Sequence, residues 1–515
     1  MGFILNETSD DVAATITAGA FHKAQYTACR KRFIYMNVMR SILLTLVAIF
    51  GLIATSCIND DFTDSPSATL TFSTDTLSFG TVFTDLGSPT ARLLVYNRNK
   101  KGVKISSIKF KDSDTPFTFN VDGVSGSSFR DVEIRGRDSI YIFVECFVNA
   151  DNSFEPRKVS DRLEFVTNGV TQEIEVEAWA QNVIRLKGMK VDHDMHLAAE
   201  MPYVVFDSLT VDRGATLTIS PGARILFHDG ASMIVNGTLN AVGTVDRIID
   251  FRGDRVDDVL PGISYDVMSG QWGGIRLGSE SYNNRIEYVD MRSSSEGLRI
   301  DSCGDLTRQK LTLVNSWLHN SSTSVLDSRY AKVDAYGCCF SESPFAVVSL
   351  TGGEHNFVQC TIANNYLFSA VTEPNLSLYH CMGSDDGSVS TGDIPYMKAN
   401  FENCIVWGLG APLNRVDLTG SDVYLRNVLL KADGNDDDHF VDCIWNEDPL
   451  FLTVRNDYYF NYHLQPDSPA IGRGNPDYII PACLYDMDGY DRLPSSGILP
   501  TLGAYANPVQ TGNGD

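Results

Sequence analysis

Cysteine is the first residue type here whose spacing could carry chemistry. Cys338, Cys360, Cys381 and Cys404 follow one another at steps of 22, 21 and 23 residues, in the segments DAYGCCFSES, HNFVQCTIANN, LSLYHCMG and ANFENCIVWG. Thiolates bind metals, form disulfides and act as nucleophiles. Zinc sites, however, bring cysteines as close C-x-x-C pairs, and none accompanies these four. A disulfide prefers Cβ atoms about 3.8 Å apart, whereas residues stacked on successive β-coils lie about 4.8 Å apart. The even spacing therefore points to an inward stack of free thiols, each behaving as a small hydrophobe. The pattern assigns no role to Cys339, Cys443 or Cys483.

Charged candidates lie between the cysteines. Asp327, Arg329, Lys332 and Asp334 are close in sequence, Arg308 and Lys310 precede them by about one coil, and Glu354 and His355 follow by about one. Asp385 and Asp386 lie one coil further on, and Arg252, Asp254, Arg255, Asp257 and Asp258 form a charged loop. We take Trp272, Asp327, Arg329, Lys332, Asp334, Glu354 and His355 as the glycan or cleft candidates. Against this stands the plain reading that charges simply cover a solvated face and that Trp272 packs inside. Asp433, Asp436, Asp437 and Asp438 in DGNDDDHF are the calcium candidates, the alternative being a solvated acidic loop. Calcium is the one cofactor these residues suggest. His193 and His196, beside Asp192 and Asp194, read as a surface linker.

The elements that would position these residues come from the repeat. Leu313, Ala335, Phe357, Leu378, Phe401 and Leu425 form a second column, three residues before the first. Leu318, Phe340, Ile362, Gly383, Val406 and Leu430 form a third, two residues after it; Ser316 and Val428 extend the first column at either end. Short runs of Val, Ile, Leu, Phe and Thr are broken by Asn, Gly, Ser and Asp, which is the composition of strands and turns. A period near 22 residues indicates a solenoid whose coils bury their apolar sides against one another. It is too short for helical repeats, and β-propeller blades need about 40 residues.

The chain has 515 residues and a formal charge of −24, with 65 Asp plus Glu against 41 Lys plus Arg. That balance excludes nucleic acid as a partner. Aromatics make up 10%, which excludes a disordered chain. Residues 39–57, MRSILLTLVAIFGLIATSC, have the shape of an export signal, with an apolar run too short for a confident membrane span. We therefore expect a non-native or mis-called upstream extension over 1–38, the alternative being a long charged n-region, then a signal peptide over 39–56 and a tether over 57–67. From 68 to 181, alternating strands such as ARLLVYNR, SIYIFVECF and TQEIEVEAWA predict a two-layer β-sandwich. A linker over 182–202, a solenoid over 203–480 and a closing segment over 481–515 follow.

Several phrases resemble known families. IATSC resembles a bacterial lipobox, which implies lipidation of Cys57; the alternative is an ordinary signal ending near a cysteine. The following Asp60 and Asp61 resemble the acidic export tag of Bacteroidetes surface lipoproteins, implying a lipid anchor at the outer membrane and exposure at the cell surface. The order LSFGTV, VYN, EFVTN resembles immunoglobulin-like domains of the ASH type. LTISPGARILFHDGASMIVNGTL and GQWGGIRLG resemble right-handed parallel β-helices of surface and pectate-lyase-like proteins. DMDGYDRL before GAY resembles the closing segment of bacterial β-helix proteins, with Asp488 and Arg492 as a candidate pair. An EF-hand reading of DMDG fails, because its twelfth position is Gly497.

The expected fold is all-β: an N-terminal immunoglobulin-like β-sandwich followed by a right-handed parallel β-helix. The pectate-lyase resemblance implies lyase, glycosidase or esterase chemistry, yet the candidate residues match no ordered acid–base set of such enzymes. The expected function is a non-catalytic surface lipoprotein that binds or organises extracellular glycan or an envelope protein. The alternative is a carbohydrate-active enzyme, a lyase or hydrolase acting on an acidic polysaccharide.

Overall fold

The computed structural model describes residues 61–260, 262–379, 397–414, 418, 421–456, 458–493 and 497–506. The signal segment, Cys57, Asp60, Cys381, Gly383, Asp385 and Asp386 lie outside the described residues. Asp61 faces Lys101 at 3.6 Å, with both side chains exposed. The described chain is almost entirely β.

Residues 71–181 form two sheets, one of five strands and one of six. Alternation does the sorting: along Arg157–Thr167, Asp161, Leu163, Phe165 and Thr167 are buried while the residues between them reach solvent. Leu93, Val95, Ile142 and Val144 from one sheet meet Ile105, Ile108, Leu163, Phe165 and Val176 from the other in one apolar core.

A single ladder of 25 strands with parallel pairings runs from Ile184 to Trp445, so it starts inside the expected linker over 182–202, where Ile184–Val191 and Met195–Leu197 are already its strands, and it ends well before residue 480. The third sequence column is the spine of this solenoid. In register it runs Ile184, Tyr203, Ile225, Phe251, Met291, Leu318, Phe340, Ile362, Val406, Leu430 and Trp445. Two further ladders close the coil. One carries Leu209, Met233, Ile275, Leu298, Leu326, Val348 and Leu376; the other carries Ile286, Leu313, Ala335, Phe357, Phe401, Leu425 and Phe440. Their inward side chains fill one continuous core.

The cysteine column is an inward stack with one correction. Backbone bonds from Cys339, Thr361, Ile405, Leu429 and Ile444 to the carbonyls of Ser316, Cys338, Cys360, Cys404 and Val428 align those residues. The same ladder places Cys443 in the column, the position that spacing could not assign. Cys338, Cys360 and Cys404 are buried free thiols. Leu378, however, pairs with Leu350 on a different face, and Phe357 pairs directly with Phe401. The interval from Cys360 to Cys404 is thus one coil, not two. An insertion of about one period carried an apolar phrase that imitated the repeat.

From Tyr288 to Asp442, each coil bends just before the cysteine column at a single residue with positive φ. These are Tyr288 (47°), Asn315 (41°), Gly337 (65°), Gln359 (57°), Asn403 (54°), Asn427 (52°) and Asp442 (53°). L-residues pay roughly 1–2 kcal/mol in the left-handed region, and Asn is among the few that enter it routinely. This explains the polar residue ahead of each apolar strand. The same side chains hold the closing segment, which begins at Phe451 after the parallel ladder ends and not at 481. Asn315 Nδ2 donates to Tyr485 O at 3.0 Å, Asn403 exchanges two bonds with the Asn475 backbone (2.8 and 2.9 Å), and Asn427 Nδ2 reaches Arg473 O at 3.3 Å. Gln359 Oε1 accepts from Arg492 Nη1 at 3.1 Å.

The closing segment therefore does more than shield the last coil. Phe451, Tyr462, Ala470, Leu502 and Tyr505 lie on the outward face over Cys339, Ala363, Ile405, Leu429 and Ile444, making a second apolar core. The expected Asp488–Arg492 pair is not formed. Asp488 bonds His463 at 2.5 Å, while buried Arg492 donates to the carbonyls of Gly503 and Ala504 and lies in the field of Asp486. Asp486 builds the turn, accepting from the backbone of Asp488, Tyr490 and Ala506.

Asn403 tests this arrangement. Asn403→Ala is expected to lower stability by about 2–4 kcal/mol, from the left-handed backbone and two lost hydrogen bonds. Asn403→Gly keeps the backbone conformation and should cost clearly less. Urea unfolding that shows equal losses for both would rule out the corner as the origin.

Candidate functional site

On the outward side of the spine, strands Val289–Arg292 and Trp317–His319 turn Asp290, Arg292, Trp317 and His319 away from the core. Their inward neighbours are Met291 and Leu318, so the alternation that buries one set exposes the other. Two loops and a hairpin rise around these side chains. The result is a cleft of about 300 Å³. Asp266 and Val267 come from the loop before Trp272, Tyr366, Leu367 and Phe368 from the segment after Asn364, and Tyr458, Tyr459 and Phe460 from the closing segment's hairpin.

A second left-handed corner sets the cleft's depth. Ser293 (φ 64°), Asn320 (56°) and Glu342 (56°) occupy it on successive coils. Ser293 Oγ and Asn320 Nδ2 both donate to Asp266 O, at 2.7 and 2.6 Å, and so fasten the inserted loop. Glu342 takes the same corner one coil on, where Asn320 shows the residue type that fits most easily. It is 2% exposed, accepts from the Tyr462 hydroxyl through Oε1, and has no hydrogen-bond partner at Oε2. Burial pushes its carboxyl up to about 7, against the opposing hydrogen bonds of Ser341 and Tyr462 and the field of His319. A buried carboxyl in a disfavoured backbone region, with one oxygen unpartnered, makes Glu342 a candidate functional residue.

The floor is a fixed charge network. Arg292 Nη1 bonds Asp250 and Asp290, each at 2.6 Å, and its Nε faces Asp266 at 3.2 Å. Arg252 reaches Asp266 at 2.6 Å. His319 Nε2 meets Asp290 Oδ1 at 3.0 Å, and its ring stacks on Trp317 with centroids 3.9 Å apart. Burial would raise the Asp290 carboxyl, but Arg292 and then His319 outweigh it and hold it below the usual range. The two carboxyls of the cleft are thus pushed in opposite directions, Glu342 toward its protonated form and Asp290 toward its ionised one, an arrangement suited to acid–base work. The opposite wall is aromatic: Tyr366 meets Phe368 edge-on at 5.9 Å, and Phe368 stacks with Tyr458 at 6.4 Å.

The residues singled out from sequence do not gather here. Trp272 is fully buried, stacked on Phe227 at 4.2 Å with its indole N–H on Arg292 O, so it packs the core under the cleft and cannot stack on a sugar. His355 is buried too, because its register with Val333 and Ala399 points it inward; it bonds Gly352 O, and burial lowers its pKa to about 4. Asp327 and Arg329 pair with each other at 3.0 Å in a shallow depression elsewhere. Lys332 pairs with Glu354 at 3.3 Å, and Asp334, whose carboxyl burial raises, lies near them. In the acidic loop, Asp436 accepts from Trp445 Nε1 and the Cys443 N–H, Asp437 from the His439 and Phe440 N–H groups, and Asp433 from Asn446. Asp438 makes no such bond. Among the described residues no group of three or more His, Cys, Asp or Glu side chains stands ready for a metal ion.

Glu342 yields a pH test. Its folded pKa, about 7, lies above the ordinary 4.5, so the folded state holds the extra proton. The stabilising contribution is full below about pH 4.5 and is lost as pH rises to about 7, a change of roughly 3 kcal/mol. Glu342→Gln removes that titration. Relative to the parent, the variant should gain roughly this amount between about pH 4.5 and pH 8 in urea unfolding. A constant difference across that range would exclude a buried, protonated Glu342.

No family model matches the chain, and no curated protein matches it. Among the solved structures similar over part of it are three from different sources. An ASH/PapD-like domain of human CEP192 is 10% identical, covering 23% of this chain and 90% of that domain, with a TM-score of 0.18. A protein of unknown function from Porphyromonas gingivalis W83 is 13% identical, covering 25% of this chain and 58% of that one (TM-score 0.17). A family 123 glycoside hydrolase from Clostridium perfringens is 7% identical, covering 22% of this chain and 26% of that enzyme (TM-score 0.15).

Proposed function

We propose that this chain is a lipid-anchored protein of the outer cell surface that binds extracellular glycan in the aromatic-walled cleft. The observation that carries this reading is the cleft's construction: rings on one side, fixed polar groups on the other. Sugars offer apolar ring faces to aromatic side chains and hydroxyls to polar ones, and ligand sites commonly combine apolar lining with a few oriented polar groups. The anchor rests on the IATSC phrase before Cys57, and the outward address on Asp60 and Asp61. On this reading the sandwich is an immunoglobulin-like spacer that lifts a right-handed β-helix from the membrane.

Charge balance narrows the ligand. Among the described residues Arg292 is the guanidinium lining the cleft, and Asp290 engages it together with His319. Asp250 and Asp266 take the remaining contacts of Arg292. Among the described residues no unpaired lining cation is left to neutralise a uronate, so neutral saccharides fit better than the acidic polysaccharide of the alternative reading.

Two outcomes are expected. On a glycan array the mature protein should retain neutral oligosaccharides over uronate-rich ones, and Phe368→Ala or Tyr458→Ala should weaken the best binder about tenfold, or ~1.4 kcal/mol. Unchanged affinity in both variants would remove the cleft as the binding site. Separately, Cys57→Ala should abolish incorporation of labelled palmitate and release the protein from the membrane fraction. Persistent labelling would exclude Cys57 as the anchor.

A further inference from the structure

Glu342 and the Asp290–His319 pair have a geometry that binding alone does not explain. A binding site for neutral sugar gains nothing from a carboxyl buried in a left-handed corner with one oxygen unpartnered. Nor does it need an imidazole held on a carboxylate and stacked on an indole. His319 is in register with Ser341, and Glu342 is the next residue along, so the two backbones lie about 6 Å apart on adjacent coils. Both side chains line the same cleft.

Resting on the glycan reading above, we propose that the cleft hydrolyses a glycosidic bond of a neutral saccharide, with Glu342 as proton donor and His319, positioned by Asp290, as the base that activates water. The contact with Asp290 fixes Nε2–H as donor, which leaves the lone pair on Nδ1. In the step, Glu342 gives its proton to the leaving oxygen as the C1–O bond breaks. A water oxygen bonds to C1, and its proton passes to His319. One water is consumed, yielding a free reducing end and an alcohol. The proton on His319 then returns through solvent to the Glu342 carboxylate, restoring the starting state. Asp290 stays ionised throughout, held by Arg292. The elevated carboxyl of Glu342 keeps the proton available near neutral pH.

The test uses the mature protein with phenyl and 2,4-dinitrophenyl glycosides of glucose, galactose, mannose and N-acetylglucosamine, in both anomers. Phenolate needs protonation to depart, and dinitrophenolate does not. Turnover of a phenyl glycoside is expected, with the first-formed sugar inverted at C1 by NMR. Glu342→Gln should lower kcat on the phenyl substrate by about 10²–10⁴-fold but leave the dinitrophenyl substrate within about tenfold. That retained activity also shows that the variant is folded. His319→Ala should slow both substrates. Equal losses on both substrates in Glu342→Gln would overturn the proton-donor assignment, and retention at C1 would overturn the direct attack of water. Calorimetric binding of the free sugars with no turnover of either series would overturn the hydrolytic inference and leave the binding function standing. Absence of both binding and turnover would overturn the binding function as well.

Discussion

The solenoid depends on bending each coil within one residue. Parallel strands stack only if every coil turns at the same height, and from Tyr288 to Asp442 the turn ahead of the cysteine column places one residue per coil in the left-handed region. Asn, Gly, Gln and Asp fill most of these positions, and their backbone N–H groups continue the ladder from coil to coil. Because their amides point outward, the same residues that make the bend are free to hold something against it. At Asn315, Gln359, Asn403 and Asn427 that something is the closing segment. Local conformation and tertiary docking thus share one set of side chains.

The second corner extends this logic to the cleft. Ser293 and Asn320 satisfy the backbone of the inserted loop at Asp266, and Glu342 meets Tyr462 from the closing segment. Three chain segments that share no local sequence relation therefore converge on one line of corner residues. Arg292 keeps the enclosed charges in order by engaging Asp250, Asp266 and Asp290; burial alone would work against its charge, but the three carboxylates hold it firmly protonated. Removing any one of them would leave a buried charge less well compensated.

Much of the scaffold was legible in the residues. The spacing of Leu318, Phe340, Ile362, Val406 and Leu430 is the spine itself, since a parallel ladder repeats the same inward position on every coil. Leu378 misled because an insertion close to one period in length preserves apparent phase while moving a strand to another face. The cleft was half legible. Trp317 and His319 flank inward Leu318, and Asp290 and Arg292 flank inward Met291, so alternation alone places all four outside. Glu342, Asp266, Tyr366 and Tyr458 carry no such mark, because loops and a distant hairpin bring them in. Trp272 packs inside, as the plain reading of its phrase has it, whereas His355 looked exposed by residue type and register put it inside.

The path of the closing segment has a consequence for how such a chain can evolve. Arg473 and Asn475 meet the corners at Asn427 and Asn403, whereas Tyr485 meets the corner at Asn315, so the segment travels back along the stack against the direction of coil growth. Each contact is tied to a particular coil. Duplicating a coil between Asn315 and Asn427 would lengthen the stack by about 4.8 Å, and the segment would need one or two more extended residues to reach its partners. The closing segment thus works as a gauge of coil number, favouring substitutions and loop insertions over repeat duplication across this half of the solenoid.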